Sequence, residues 1–255
     1  MKKVLIIGYV WPEPDSSAAG RHIMSILRAY TGQGWQVEFA SPALPTEHMY
    51  DLSSEGVISR KITLNCDSFD AYVTDYQPDI VMFDRFMMEE QFGWRVEKHC
   101  PQAVRILDTE DLQCLRYARH QALKANREMT HEDLFSDLAK REIAAILRSD
   151  LTLIISGYEM DLLIDTFKLD VELLHHLPFM VALQAGSRET KGYEERKNFI
   201  SIGNFRHAPN WDMVLTLRNI WPAIRNELPD AECHIYMGPI HRPRPRHFIM
   251  RRPVF

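Results

Sequence analysis

The sequence predicts an α/β fold, a parallel sheet with helices on both faces, and three observations carry that expectation. Short apolar runs alternate with helix-patterned stretches along most of the chain. The first run, Val4-Leu5-Ile6-Ile7, is continuous rather than alternating, as in a strand buried on both faces. Gly, Pro and Ser gather where the runs end, beginning with the loop Gly8–Gly20.

The elements follow in order. After Val4–Ile7 and its loop, Ile23, Met24, Ile26, Leu27 and Tyr30 fall at helical spacing, and Gly32 and Gly34 close that helix. Gln36–Ala40 is the next strand, which completes a βαβ unit. Ser59–Leu64 reads as a strand and Phe69–Tyr76 as a short helix stopped by Pro78. Asp79–Phe83 is a strand, Met88–His99 a helix ending before Pro101, and Val104–Asp108 a strand running into an acid-rich loop. Leu112–Arg148 is helical with a break near Met129-Thr130, and Ala139, Ile143, Ile146 and Leu147 form its core stripe. Leu151–Ile155, Glu159–Phe167 and Val171–Leu174 read as strand, helix and strand.

Residues 181–196 are polar and glycine-containing, as in a linker, so residues 1–180 form a first domain. The same grammar then restarts over 197–240. Phe199–Gly203 is a strand, Met213, Leu217, Ile220, Trp221 and Ile224 line a helix that Pro222 kinks or splits, and Cys233–Tyr236 is a strand.

Composition narrows the function. The 255 residues are 45% hydrophobic and 25% charged, which excludes disorder, collagen and coiled coil as whole-chain readings. No apolar stretch reaches the 18 residues that mark a transmembrane helix. The first apolar run is too short for a signal peptide, and Trp11-Pro12-Glu13-Pro14 follows it without a small-residue cleavage site. Cys66, Cys100, Cys114 and Cys233 have no metal spacing and read as free thiols of a reducing cytoplasm. Net charge is −5, but residues 241–255 hold five Arg and no acid, so residues 1–240 alone carry −10. That acidic body argues against a nucleic-acid partner.

Ligands of open parallel sheets bind beyond the carboxyl ends of the strands, and four loops there carry polar residues. Gly8–Gly20 leads small residues, Ser17 among them, into a helix start. It suits either an anion or close helix–sheet packing. It is neither GxGxxG nor a Walker loop, so no nicotinamide or P-loop cofactor is expected. Asp84 and Arg85 end a strand, as a polar substrate clamp or as an internal ion pair. Asp108, Glu110 and Asp111 crowd another strand end. Helix capping accounts for Thr109 and Asp111 but not for Asp108, which favours a site. No His stands at ligand spacing beside these acids, so no metal is expected. Ser156-Gly157-Tyr158-Glu159 fits a capping box. The pair His175-His176 reads as surface or hinge.

In this order, the segments Val4–Gly20, Pro78–Arg116, Arg141–Leu163 and Asn198–Tyr236 resemble bacterial GT-B glycosyltransferases of the glycosyltransferase 4-like group. The most specific stretch is Ser201-Ile-Gly-Asn-Phe-Arg-His-Ala-Pro-Asn210. The resemblance implies two Rossmann-like domains, the first receiving the acceptor and the second a nucleotide-sugar donor. It implies transfer to an envelope polysaccharide or to a lipid-linked acceptor, the latter bringing the chain to the inner face of the membrane. Asp108, Glu110, Asp111 and Gln113 would then be catalytic, with Asp84, Arg85 and Arg116 on the acceptor. Ser17, Gly20, Gly203, Asn204 and Arg206 would stand at the donor diphosphate, where an Arg offsets phosphate charge.

Two departures matter. A family pattern of the form D-T-x-D-L-H has Gln113 in its last place, and Gln hydrogen-bonds a hydroxyl without taking its proton. The family's E-x7-E region has no counterpart, and the likeness stops after Gly238. The Arg/Pro/His tail matches no element of the fold and has the look of a shifted reading frame. The expectation is a complete acceptor domain, an incomplete donor domain prone to association, and weak or absent transfer. The alternative is a non-catalytic binding or partner subunit.

Overall fold

The computed structural model describes residues 1–181, 192–203, 208–237 and 246–250. The chain divides into two compact units, Met1–Val181 and Ala182–Phe255. Unit 1 contains strands β1 (Lys3–Ile7), β2 (Gln36–Ser41), β3 (Ile58–Lys61), β4 (Ile80–Asp84), β5 (Val104–Asp108), β6 (Leu151–Ile154) and β7 (Leu174–His176). Its helices are α1 (Ala18–Gly32), α2 (Ser68–Tyr76), α3 (Phe86–His99), α4 (Gln113–Lys124), α5 (Asp137–Arg148) and α6 (Gly157–Asp165). All seven strands are parallel, in the order β3-β2-β1-β4-β5-β6-β7.

The unbroken apolar run of β1 follows from burial on both sides, because successive side chains point to opposite faces. Leu5 and Ile7 join one core with Val81, Phe83 and Leu107. Val4 and Ile6 join the other with Val37, Phe39, Met82 and the α1 residues Ile23, Met24, Ile26 and Leu27. The chain leaves β1 on one side toward β2 and later returns on the other side as β4. Strand order therefore reverses beside β1, and a crevice opens at such a reversal.

Several expectations shift. The Leu112–Arg148 helix is interrupted by a 3₁₀ turn, His131–Leu134, separating α4 from α5. The α5 stripe is Ala139, Glu142, Ala145 and Ile146, whereas Leu147 is exposed. The third strand is shorter, with all four residues exposed at the sheet edge. Val171–Leu173 is a 3₁₀ turn and the strand follows it, with His175 and His176 exposed. Ser156 makes no capping hydrogen bond, so the capping box does not form.

Gly20 shows why the first loop needs small residues. A Cβ there would lie 2.5 Å from the carbonyl carbon and oxygen of Glu13, which are backbone and cannot swing aside. Gly20→Ala is expected to cost about 1–3 kcal/mol despite the better helix propensity of Ala. A urea midpoint equal to that of the parent chain would refute this.

In unit 2, β8 (Phe199–Gly203) pairs parallel with β9 (Cys233–Met237), and α7 (Ala208–Glu227) connects them. Helix α7 runs through Pro222 without a split. Trp221, Ala231, Cys233 and Ile235 form its core, with Phe199 edge-on to Trp221 at 5.7 Å. The tail, expected to hold no element, supplies β10 (Arg246–Met250), antiparallel to β9. Most of the expected linker lies outside the described residues.

Candidate active site

The strand ends at the reversal bring acids together. Asp84 and Asp108 are register partners on β4 and β5, both almost completely buried. The Arg85 backbone N–H donates to the Asp108 carbonyl at 2.7 Å, pinning the two ends. Asp84 Oδ2 accepts the Tyr9 N–H at 3.1 Å, and Arg85 Nε lies 3.5 Å from Asp84 Oδ1. Asp108 Oδ1 accepts the Glu110 N–H at 3.2 Å. Arg85 and Glu110 hold φ at 72° and 60°, conformations that cost a residue with a Cβ and are retained only where surroundings enforce them.

The sequence reading missed the fourth member, His22. It sits at the start of the second turn of α1, fully buried, with Nε2 3.4 Å from Asp108 Oδ2. That is ion-pair distance but outside hydrogen-bond geometry, and neither ring nitrogen finds a hydrogen-bond partner among the described residues. Asp84 Oδ1, Asp108 Oδ2 and Glu110 Oε1 are likewise buried without a hydrogen bond. The missed signal was positional. His22 stands four residues before Ile26 on the buried face of the helix that follows β1.

Crowding sets the protonation states. Burial, reinforced by Asp108 and Asp84, pushes the Glu110 carboxyl up to about 8, and burial raises Asp84 to about 6. Burial alone would lower the His22 imidazole, but Asp108, Glu110 and Asp84 together outweigh it and raise it. Near neutral pH, Glu110 is therefore mostly a protonated acid.

The neighbouring loop is held from behind. The N–H groups of Gln113 and Cys114 donate to Glu142 at 2.9 and 2.8 Å, and that of Leu112 donates to Glu159 at 3.1 Å. Two carboxylates from α5 and α6 thus cap α4, a role expected of Thr109 and Asp111. Thr109 Oγ1 instead donates to the Leu153 carbonyl at 3.0 Å, and Asp111 engages Arg116. Arg116 is thereby tied to Asp111, while Gln113 starts α4.

Of the residues expected at the diphosphate, Ser17 caps α1, its Oγ accepting the Gly20 N–H at 2.9 Å. Gly203 ends β8, where a Cβ would stand 2.9 Å from Asn210 Cγ. Asn204 and Arg206 lie outside the described residues. Among the described residues, no three His, Cys, Asp or Glu side chains are placed to hold a metal ion. No helix among them is long and apolar enough to cross a membrane.

A parallel sheet with helices on both faces and a polar cluster at its strand reversal defines a Rossmann-like fold, of the kind GT-B glycosyltransferases carry. Solved structures share it. A glycosyltransferase from Rickettsia africae is similar at TM-score 0.54 and 11% identity, over 93% of this chain and 68% of that one. The apo lipopolysaccharide outer core galactosyltransferase WaaB is similar at 0.52 and 10%, over 79% and 52%. A Listeria monocytogenes protein assigned as a UDP-N-acetylglucosamine 2-epimerase is similar at 0.52 and 11%, over 95% and 64%. The chain thus spans about half of the galactosyltransferase and less than two thirds of the Listeria protein. At these identities the likeness is one of fold. No protein-family model matches the chain, and no curated protein matches it in sequence.

Proposed function

We propose that the chain acts on a nucleotide-sugar and passes its glycosyl group to a hydroxyl acceptor. Residues 1–180 form the acceptor side and residues 197–240 the donor side, joined by the linker 181–196. The observation that carries the reading is the His22–Asp108–Glu110–Asp84 cluster at the strand reversal. Transfer breaks the bond between the sugar's anomeric carbon and the diphosphate and joins that carbon to the acceptor oxygen. The acceptor proton then needs a receiver. His22 in its neutral form, oriented by Asp108, suits that role, and Asp84 is a second receiver. Protonated Glu110 donates a hydrogen bond to the acceptor, and Gln113 adds one without taking a proton. Asp111 and Arg116, paired to each other, shape the rim. For a departing diphosphate, the Ser17–Gly20 turn in unit 1 and Gly203, Asn204 and Arg206 in unit 2 are each proposed as phosphate-binding groups, since positive groups and helix dipoles offset charge. An envelope polysaccharide or lipid-linked acceptor at the inner face of the membrane belongs to the same proposal.

Because an assigned epimerase shares the fold, the fold alone does not choose the reaction. The near-complete burial of the cluster favours a second reading, a binding or partner subunit.

The test is a thermal-shift titration of the full chain with UDP- and GDP-sugars, followed by product analysis with saccharide acceptors. A true donor at a hundredfold excess over its Kd should stabilise the fold by about 2.7 kcal/mol. A panel in which no nucleotide-sugar raises the midpoint overturns the proposal. Binding without turnover selects the subunit reading.

A further inference from the structure

The cluster leaves both kinds of hydrogen-bonding group without partners, since the two ring nitrogens of His22 stand unpaired beside three carboxyl oxygens. Asp84 Oδ1, Asp108 Oδ2 and Glu110 Oε1 are buried acceptor atoms without a hydrogen bond, and each of those residues is at most 5% exposed. Together with the His22 ring nitrogens, these groups call for a ligand that both donates and accepts, as a hydroxyl does. The nearby features that would welcome an anion are engaged. Glu142 and Glu159 already take the N–H groups at the start of α4, and Ser17 takes that of Gly20. The Arg85 guanidinium stands beside Asp84 and over the Tyr9 ring at 5.3 Å. Three carboxyl groups, those of Asp84, Asp108 and Glu110, crowd the cluster around one guanidinium and one imidazole. A further negative charge would be left unbalanced among carboxylates.

Aromatic rings border the same cluster. Phe179 is edge-on to His22 at 5.0 Å, and Tyr9 lies in the Gly8–Gly20 loop with its N–H donating to Asp84 Oδ2. Each is a little over two-fifths exposed beside a cluster that is almost wholly buried. A sugar ring has a C–H face that lies on an aromatic ring and hydroxyl edges that donate to carboxylates. An apolar wall with a few convergent polar groups fits that shape.

We propose that this cluster binds an uncharged, hydroxyl-rich sugar ring against Tyr9 and Phe179 and rejects phosphorylated or carboxylated sugars. The inference deepens the transfer reading, on which it rests, by naming the chemistry of the group that receives the glycosyl unit.

The experiment is saturation-transfer NMR on the full chain with methyl glycosides of glucose, galactose and mannose, against glucose 1-phosphate and glucuronate. At least one neutral glycoside should receive saturation and both anions should receive none. Tyr9→Ala and Phe179→Ala should each weaken the neutral signal, whereas Tyr193→Ala, an exposed control in unit 2, should not. Asp84→Asn removes a like charge and should improve glucuronate binding by about tenfold or more relative to the neutral glycoside. Equal binding of the anions by the parent chain overturns the proposal. So does silence of all three neutral glycosides, or an Asp84→Asn chain with unchanged preference. A nucleotide-sugar shift with silent neutral glycosides sinks this inference alone. Neutral glycoside binding with no nucleotide-sugar effect sinks the transfer reading alone.

Discussion

Asp108→Asn is expected to destabilise unit 1 by about 3 kcal/mol at pH 6, and to cost little or even stabilise it at pH 9. The substitution keeps the shape and leaves an oxygen to accept the Glu110 N–H, so the change is one of charge. At pH 6 the His22 imidazole is protonated and buried, and Asp108 is its counter-ion at 3.4 Å. Removing that charge strands a buried cation. At pH 9 Glu110, held at about 8, has ionised. Asp108 then mainly repels a carboxylate, and losing it brings relief. Urea denaturation at the two pH values gives the comparison. An equal loss at both would mean that Asp108 acts through packing, not through His22 and Glu110.

The second large effect is the pH dependence of the parent chain. Glu110 moves from its ordinary 4.5 to about 8 on folding, so between those values the folded chain keeps a proton that the unfolded chain has released. Stability from this group is full below pH 4.5 and is lost as pH climbs through 8. Asp84 acts in the same sense between 3.8 and about 6. His22 adds stability below 6.5 that disappears as pH rises through its raised value. All three lower stability in the alkaline direction, and the expected fall from pH 5 to pH 9 is on the order of 3 kcal/mol. Glu110→Gln should flatten most of that slope and leave the variant more stable than the parent above pH 8. A parent chain with constant or rising stability over this range would contradict the crowding of the cluster.

Burial on both faces made most strands of unit 1 legible, since Val4–Ile7 and Ile80–Phe83 are unbroken apolar runs and Leu151–Ile155 is interrupted only by Thr152. The edge was harder to read. Ile58–Lys61 is exposed throughout, and Leu174–His176 carries two exposed histidines, so neither shows the inner-strand pattern. The acids Asp84, Asp108 and Glu110 were visible because carboxylates at strand ends need a reason. His22 was not, since a search for an apolar stripe passes over a polar residue on the buried face. Glu142 was hidden likewise. It occupies a core position of α5 because its partners are backbone N–H groups of another helix, which no side-chain pattern reveals. The expected caps failed for the complementary reason. Thr109 and Ser156 have suitable chemistry, but Thr109 is drawn to β6 and the Ser156 side chain makes no capping bond to its own helix.

The strand order also bears on how unit 1 emerges from the ribosome. Strands β1, β2 and β3 lie outward to one side in the order of their synthesis, and β4 through β7 then add to the other side in the same order. Each arriving strand finds its neighbour already made, so the sheet can grow at its edge without reopening. The demanding step is the arrival of β4 against β1, because the two are separated by more than seventy residues of chain. Until it occurs, one flank of β1 stays unpaired, with a row of free backbone groups open to other nascent chains. Asp79 sits at that junction, its carboxylate accepting the Lys3 N–H at 2.7 Å. It can thus act as an early latch that shortens the vulnerable interval.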